Sequence, residues 1–66
     1  MFSFKPLWKL LIDKGLNKAE LTRRLGISPS TMNRMSHDQY VAMEILDKIC
    51  TELNCTPNDI IEHIPE

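Results

Sequence analysis

The sequence predicts an all-α bundle of five short helices, and three observations carry that prediction. Apolar residues recur at helical spacing in several separate stretches. Capping residues stand immediately before those stretches, and Gly15 and Gly26 stand just after two of them. The chain has 66 residues, so it is read as one domain, residues 1–66, with a small core.

The first helix is expected to begin near Pro6, a residue suited to the first turn, and to end before Gly15. Leu7, Leu10 and Leu11 fall on one side of it, and Leu16 enters the core from the connection. Asn17 is placed to cap a second helix over 18–25, with Leu21 and Leu25 inward and Thr22 at their flank. Gly26 then ends that helix in a left-handed conformation, and Ile27 drops into the core. Ser28 caps a third helix and Pro29 takes its first position, the helix running to about Ser36.

"HDQYV" reads as a turn or loop, with Tyr40 as a packing residue. A fourth helix, about Ala42 to Leu53, carries Ala42, Ile45, Leu46, Ile49, Cys50 and Leu53 along one stripe. Asn54 and Cys55 break it. Thr56 is placed to cap a fifth helix from Pro57 to about His63, with Ile60, Ile61 and Ile64 inward. The chain ends admit a second reading. "FSF" alternates with period two, and "IIEHIPE" is compatible with an extended second half, so the termini could instead pair as a two-stranded ribbon.

Composition removes several classes of function. No apolar run approaches the ~20 residues of a membrane span. "MFSFKPLWKLLIDK" interrupts its apolar part with a proline and charges and has no small-residue cleavage site, so it reads as a mature start and the expected compartment is the cytoplasm. Cys50 and Cys55 are the only cysteines; Cys50 is expected in the core and Cys55 in a loop, both reduced. A zinc site would need His37 or His63 beside a poorly spaced C-x4-C pair, so no metal or other cofactor is expected. No nucleophile–base pair, no glycine-rich phosphate loop and no evident small-molecule pocket point to an enzyme.

Charge is unevenly distributed. Residues 1–13 carry Lys5, Lys9 and Asp13, net +1. Residues 14–37 are net +4, from Lys14, Lys18, Arg23, Arg24 and Arg34 against Glu20. Residues 38–66 are net −6, with only Lys48 against seven acidic side chains. One basic and one acidic segment suggest two faces with different work, and the overall charge of −1 argues against a non-specific coater of nucleic acid.

The third helix carries the clearest functional signal. At 100° per residue, Met32 and Met35 share one side, while Ser30, Asn33, Arg34 and, if the helix reaches it, His37 share the other. A helix of ~12 Å cannot be stable alone, so its methionines must dock on the second helix and its polar side must face outward. Short helix, tight turn with Gly26 and Ile27, short helix is a helix-turn-helix, placed at 18–36.

The stretch "NKAELTRRLGISPSTMNRM" resembles the Cro/cI-type, or XRE-type, helix-turn-helix regulators, which have the lambda-repressor-like fold. Leu21, Leu25, Gly26, Ile27, Ser28, Met32 and Met35 stand at that family's structural positions. "LWKLLIDKGLN" looks like its first helix, and "MEILDKICTELNCTPNDIIEHIPE" looks like its fourth and fifth, so the resemblance covers nearly the whole chain. It is nearest to the small stand-alone members without an effector domain.

The resemblance implies that the third helix enters the major groove of double-stranded DNA. Carried over by position, the base-reading residues would be Pro29, Ser30, Asn33 and Arg34, with His37 just past the helix. Asn can pair with adenine and Arg with guanine, each through two hydrogen bonds. Ser28, Thr31, Lys18 and Arg24 would be better placed for phosphates. Three positions depart from the family's habit: Lys18 where Gln is frequent, Thr22 where Ala is frequent, and Pro29 where many members have a polar base reader.

Without the resemblance, Asn33 and Arg34 would be two solvated residues on an exposed helix. Arg23 and Arg24 read equally as solvated or as phosphate contacts, and His37 equally as a DNA contact or a local cap or loop-packing residue. The expected function is therefore a sequence-specific DNA-binding transcriptional regulator, a repressor by expectation, acting as a homodimer on an inverted repeat. Phe2, Phe4 and the Ile64 region are expected at the dimer surface, and Trp8 leans towards a partner contact. The alternative is a protein-interaction module on the same fold, an antirepressor or antitoxin partner, using the acidic segment.

Overall fold

The computed structural model describes residues 1–65, and Glu66, one of the acidic residues counted above, lies outside them. In chain order the elements are β1 (Phe2–Ser3), α1 (Lys5–Asp13), α2 (Lys18–Leu25), α3 (Pro29–Ser36), α4 (Met43–Leu53), a 3-10 turn (Pro57–Asp59) and β2 (Glu62–His63). The four α-helices stand within a residue of where the caps and stripes put them. Asn17 is extended and its side chain accepts from the Glu20 N–H at 2.8 Å, satisfying a first-turn donor of α2. At the other end of α2, Gly26 adopts φ 66° and donates to the Thr22 and Arg23 carbonyls, a conformation that a β-carbon would strain.

Each helix gives two buried side chains to one core: Leu7 and Leu11, Leu21 and Leu25, Met32 and Met35, Ile49 and Leu53. Phe4 and Ile60 complete it. Leu16, Ile27, Val41, Ile45 and Leu46 pack around its edge. α4 ends at Asn54, φ 50°, and the Cys55 N–H returns to the Cys50 carbonyl at 3.0 Å. That six-to-one bond is the helix-ending arrangement in which the third residue from the end meets the second beyond it.

The expected fifth helix is not formed. Pro57 starts a single 3-10 turn, with Asp59 Oδ2 accepting from the Thr56 N–H at 3.0 Å, and the chain then extends. The second reading of the termini holds instead. β1 and β2 pair antiparallel, Phe2 opposite His63 and Ser3 opposite Glu62. Backbone bonds between Met1 and Ile64 continue the ribbon, at 2.8 and 3.0 Å. Three isoleucines within five residues, Ile60, Ile61 and Ile64, favour extended backbone over helix, and pairing with β1 satisfies the amides a helix would have used.

Two side chains also depart from expectation. Phe4 is only 4% exposed: it follows β1, caps α1 with its carbonyl and fills the core, so it is not at a free surface. Tyr40 is 73% exposed, because the left-handed turn at Asp38 (φ 55°) sends the loop outward and Val41 takes the inner place.

The same turn fastens α1 to the end of α3. Asp38 Oδ1 accepts from the Phe4 N–H at 2.9 Å in a partly buried setting. Asp38→Ala leaves that donor without a partner and forces a β-branch-free but still disfavoured residue into a left-handed angle. A loss of about 2 kcal/mol is expected, whereas Asp38→Asn, which keeps an acceptor and tolerates the angle, is expected to lose less than about 1 kcal/mol. Urea denaturation of the three proteins checks the difference.

Candidate nucleic-acid interface

The outward face of α3 is set by how its inner face is held. Met32 and Met35 are buried against the core, so Pro29, Ser30, Asn33 and Arg34 are exposed on the opposite side. The N-terminus of α3 is organised by Ser28. It is extended, with Oγ accepting from the Thr31 N–H at 3.2 Å and lying 3.0 Å from both the Ser30 and Thr31 hydroxyls. Three hydroxyls thus surround the first turn, where backbone N–H groups favour an anion.

Among the described residues, no hydrogen bond or ion pair engages the side chains of Asn33 and Arg34. Their donors and acceptors are available to an external partner. His37 follows α3 and is exposed, with Nδ1 2.8 Å from the Asn33 carbonyl. Acting as donor there, it closes the helix end and leaves Nε2 as an acceptor. The local-cap reading of His37 therefore describes one of its two nitrogens.

Lys18 and Arg24 do not lie alike. Lys18 Nζ donates to Ser36 Oγ at 3.0 Å and sits 4.2 Å from the centroid of the Trp8 ring. Its ammonium is thus held between α1, α2 and the C-terminal end of α3, near the polar face, with further protons to donate. Arg24 points instead towards α4, its Nη1 3.6 Å from Glu52 Oε2. Both partners are substantially solvated, so this pair contributes less than about 1 kcal/mol and can be exchanged for a phosphate.

Two further side chains complete this arrangement: Ser36, which the sequence does not single out, and Trp8, which the sequence leans towards a partner contact. Ser36 both donates to the Met32 carbonyl and receives the Lys18 ammonium. Trp8, half-buried, offers its ring to that ammonium. Lys18 and Ser36 are eighteen positions apart, so no local spacing announced the contact.

The rest of the surface is chemically plain. Cys50 and Cys55 are free and half-buried, and burial, followed by the neighbouring Cys50, pushes the Cys55 thiol up, which makes it a poor nucleophile at neutral pH. Among the described residues, no three His, Cys, Asp or Glu side chains gather as a metal site. No helix among them is long and apolar enough to cross a membrane.

Two short helices joined through a left-handed glycine, the second buried on its methionine side and polar on the other, define a helix-turn-helix domain of the nucleic-acid-binding kind. A family model for the Cro/C1-type HTH DNA-binding domain matches residues 6–66. The chain belongs to that family, the XRE-type helix-turn-helix regulators. Among solved structures, it is similar to the crystal structure of transcriptional regulator VanUg, form II, at 43% identity. That likeness has a TM-score of 0.95 and covers 98% of this chain and 87% of the other. No curated protein matches the chain.

Proposed function

We propose that the chain, as one domain over residues 1–66, reads base sequence in double-stranded DNA and represses transcription as a homodimer on an inverted-repeat operator. The observation that carries this reading is the outward side of α3. Asn33 and Arg34 are exposed and unengaged there, while Met32 and Met35 fix the helix from behind. A helix so anchored presents its side chains without the entropy cost of ordering a loop.

In this reading Ser30, Asn33 and Arg34 meet base edges, and Pro29 packs against the groove wall at the helix start. Ser28, Thr31 and the first-turn amides take a phosphate, and Lys18 takes another. His37 Nε2 reaches a base or sugar at the far end. Arg24 makes a phosphate contact only by leaving Glu52, so it contributes least. In this reading acidic side chains of α4 such as Glu44 and Asp47 are turned away from DNA, as their charge requires. Homodimerisation follows from arithmetic: one helix of eight residues makes few base contacts, and two half-sites about one helical turn apart multiply affinity and specificity.

Titration of a duplex at several salt concentrations tests the phosphate part of this account. Affinity is expected to fall as salt rises, with a log–log slope of roughly −0.9 for each phosphate engaged. Binding that is absent at low salt, or indifferent to salt, would count against it. The acidic α4 side supports a second reading, a protein-interaction module, and that reading expects Asn33 and Arg34 to be dispensable.

A further inference from the structure

One face of the molecule is apolar, exposed and unused by the DNA contacts. It lies where the Asp38–Val41 loop, the start of α4 and the terminal ribbon meet. A groove of about 220 Å³ opens there, with half-buried Val41, Leu46 and Ile61 as its floor. Exposed Phe2, Tyr40 and Met43 stand around it, Met43 at 78% exposure. A second depression shares Met43, Leu46 and Ile61 and extends the apolar strip along α4 towards Pro57. Two charged residues line the two depressions: Asp38, which already accepts from the Phe4 N–H, and Asp47 in the second.

We infer that this face is the surface through which a second copy of the chain docks, an inference that rests on the homodimer reading above. Three features select a second copy as the occupant. The face carries both a groove and projecting side chains, Tyr40 and Met43, beside it. A two-fold pairing can seat the projections of each copy in the groove of the other, as a self-complementary interface requires. Its floor is apolar and Asp38, the charged residue that lines the groove, is engaged by the Phe4 N–H, so little like-charge repulsion opposes two identical faces.

Area points the same way. Two aromatic side chains and a methionine, with the groove floor, offer roughly 500 Å² per copy, or roughly 1,000 Å² across a pair, at the low end of specific interfaces. The pair is therefore weak in free solution and is completed by binding two half-sites together. The position is also suitable. The loop follows α3 directly, and the molecule measures 33 × 24 × 18 Å. Two copies side by side at this face are commensurate with the ~34 Å between half-sites one helical turn apart.

The test is sedimentation equilibrium of the full chain from micromolar to millimolar concentration, alone and with an inverted-repeat duplex. Met43→Lys and Tyr40→Asp place charge on the face, and Ile12→Lys is the control, because Ile12 is equally exposed at 76% but lies on α1 outside the groove. The far-ultraviolet spectrum and dilute-solution melting of each variant report whether the monomer still folds. The inference expects a concentration-dependent pair in the wild type and in Ile12→Lys, with the dissociation constant raised about tenfold or more in the two face variants. Unchanged pairing in folded Met43→Lys and Tyr40→Asp overturns this face and leaves the homodimer intact. Equal loss in Ile12→Lys overturns it as non-specific association. A wild type that stays monomeric throughout, with one copy per duplex, overturns the homodimer and this face together.

Discussion

Arg34→Ala is expected to weaken binding to the preferred duplex by about ten- to a hundredfold for each half-site and to relax base preference at one position. A guanidinium paired to a guanine through two hydrogen bonds discriminates by about 1–3 kcal/mol, and alanine offers nothing in its place. The side chain is exposed, and among the described residues it makes no hydrogen bond or ion pair that stability would miss. The variant should therefore unfold within about 0.5 kcal/mol of the wild type. Lys18→Gln is the informative contrast. Losing a phosphate contact should lower affinity for all sequences alike and reduce the salt slope by about one, leaving base preference intact. Fluorescence anisotropy with matched and single-mismatch duplexes separates the two patterns.

Met35→Ala is expected to have the largest effect on the fold itself. Met35 is fully buried, and its neighbour Met32 is nearly so. Truncating a buried methionine removes transfer energy and leaves a cavity, at a cost of about 2–5 kcal/mol. A domain of this size sits at the low end of the ordinary stability range, so much of its margin would go. The melting temperature should fall by more than about 10 °C, since each kcal/mol shifts a domain this small by about 4–8 °C. Because α3 has eight residues and cannot hold helix alone, DNA binding should be lost together with helical signal. In Arg34→Ala, binding is weakened and the helical signal stays. Circular dichroism melting alongside the anisotropy measurement distinguishes the two mechanisms.

What the sequence made legible was whatever is encoded within a few residues. Asn17, Gly26, Ser28 and Pro29 act on amides three or four positions away or on their own backbone angle, so α2, the turn and α3 could be placed from composition and spacing. The two faces of α3 follow from helical geometry once Met32 and Met35 are recognised as its apolar side. The family resemblance then supplied what those faces are for.

What stayed hidden depends on partners distant in sequence. The last segment has a cap, a proline and helically spaced isoleucines, yet Glu62–His63 pair with Phe2–Ser3 at the other end of the chain, and that pairing outweighs the local signal. Phe4 looked like a surface aromatic because nothing nearby shows that Asp38 receives its amide and that its ring completes the core. Nothing near Lys18 in sequence announces the Trp8 ring and the Ser36 hydroxyl that hold its ammonium. Residue type alone points Tyr40 to packing, and the left-handed turn at Asp38 decides otherwise.

The measurement that tests most directly whether α3 reads base sequence is selection from a randomised duplex pool, run in parallel with wild type and Arg34→Ala at two salt concentrations. The account predicts enrichment of an inverted repeat with half-sites about one helical turn apart, weakened at the higher salt and degraded at one position per half-site in the variant. No enriched sequence, or the same sequence enriched to the same degree by Arg34→Ala, would contradict it.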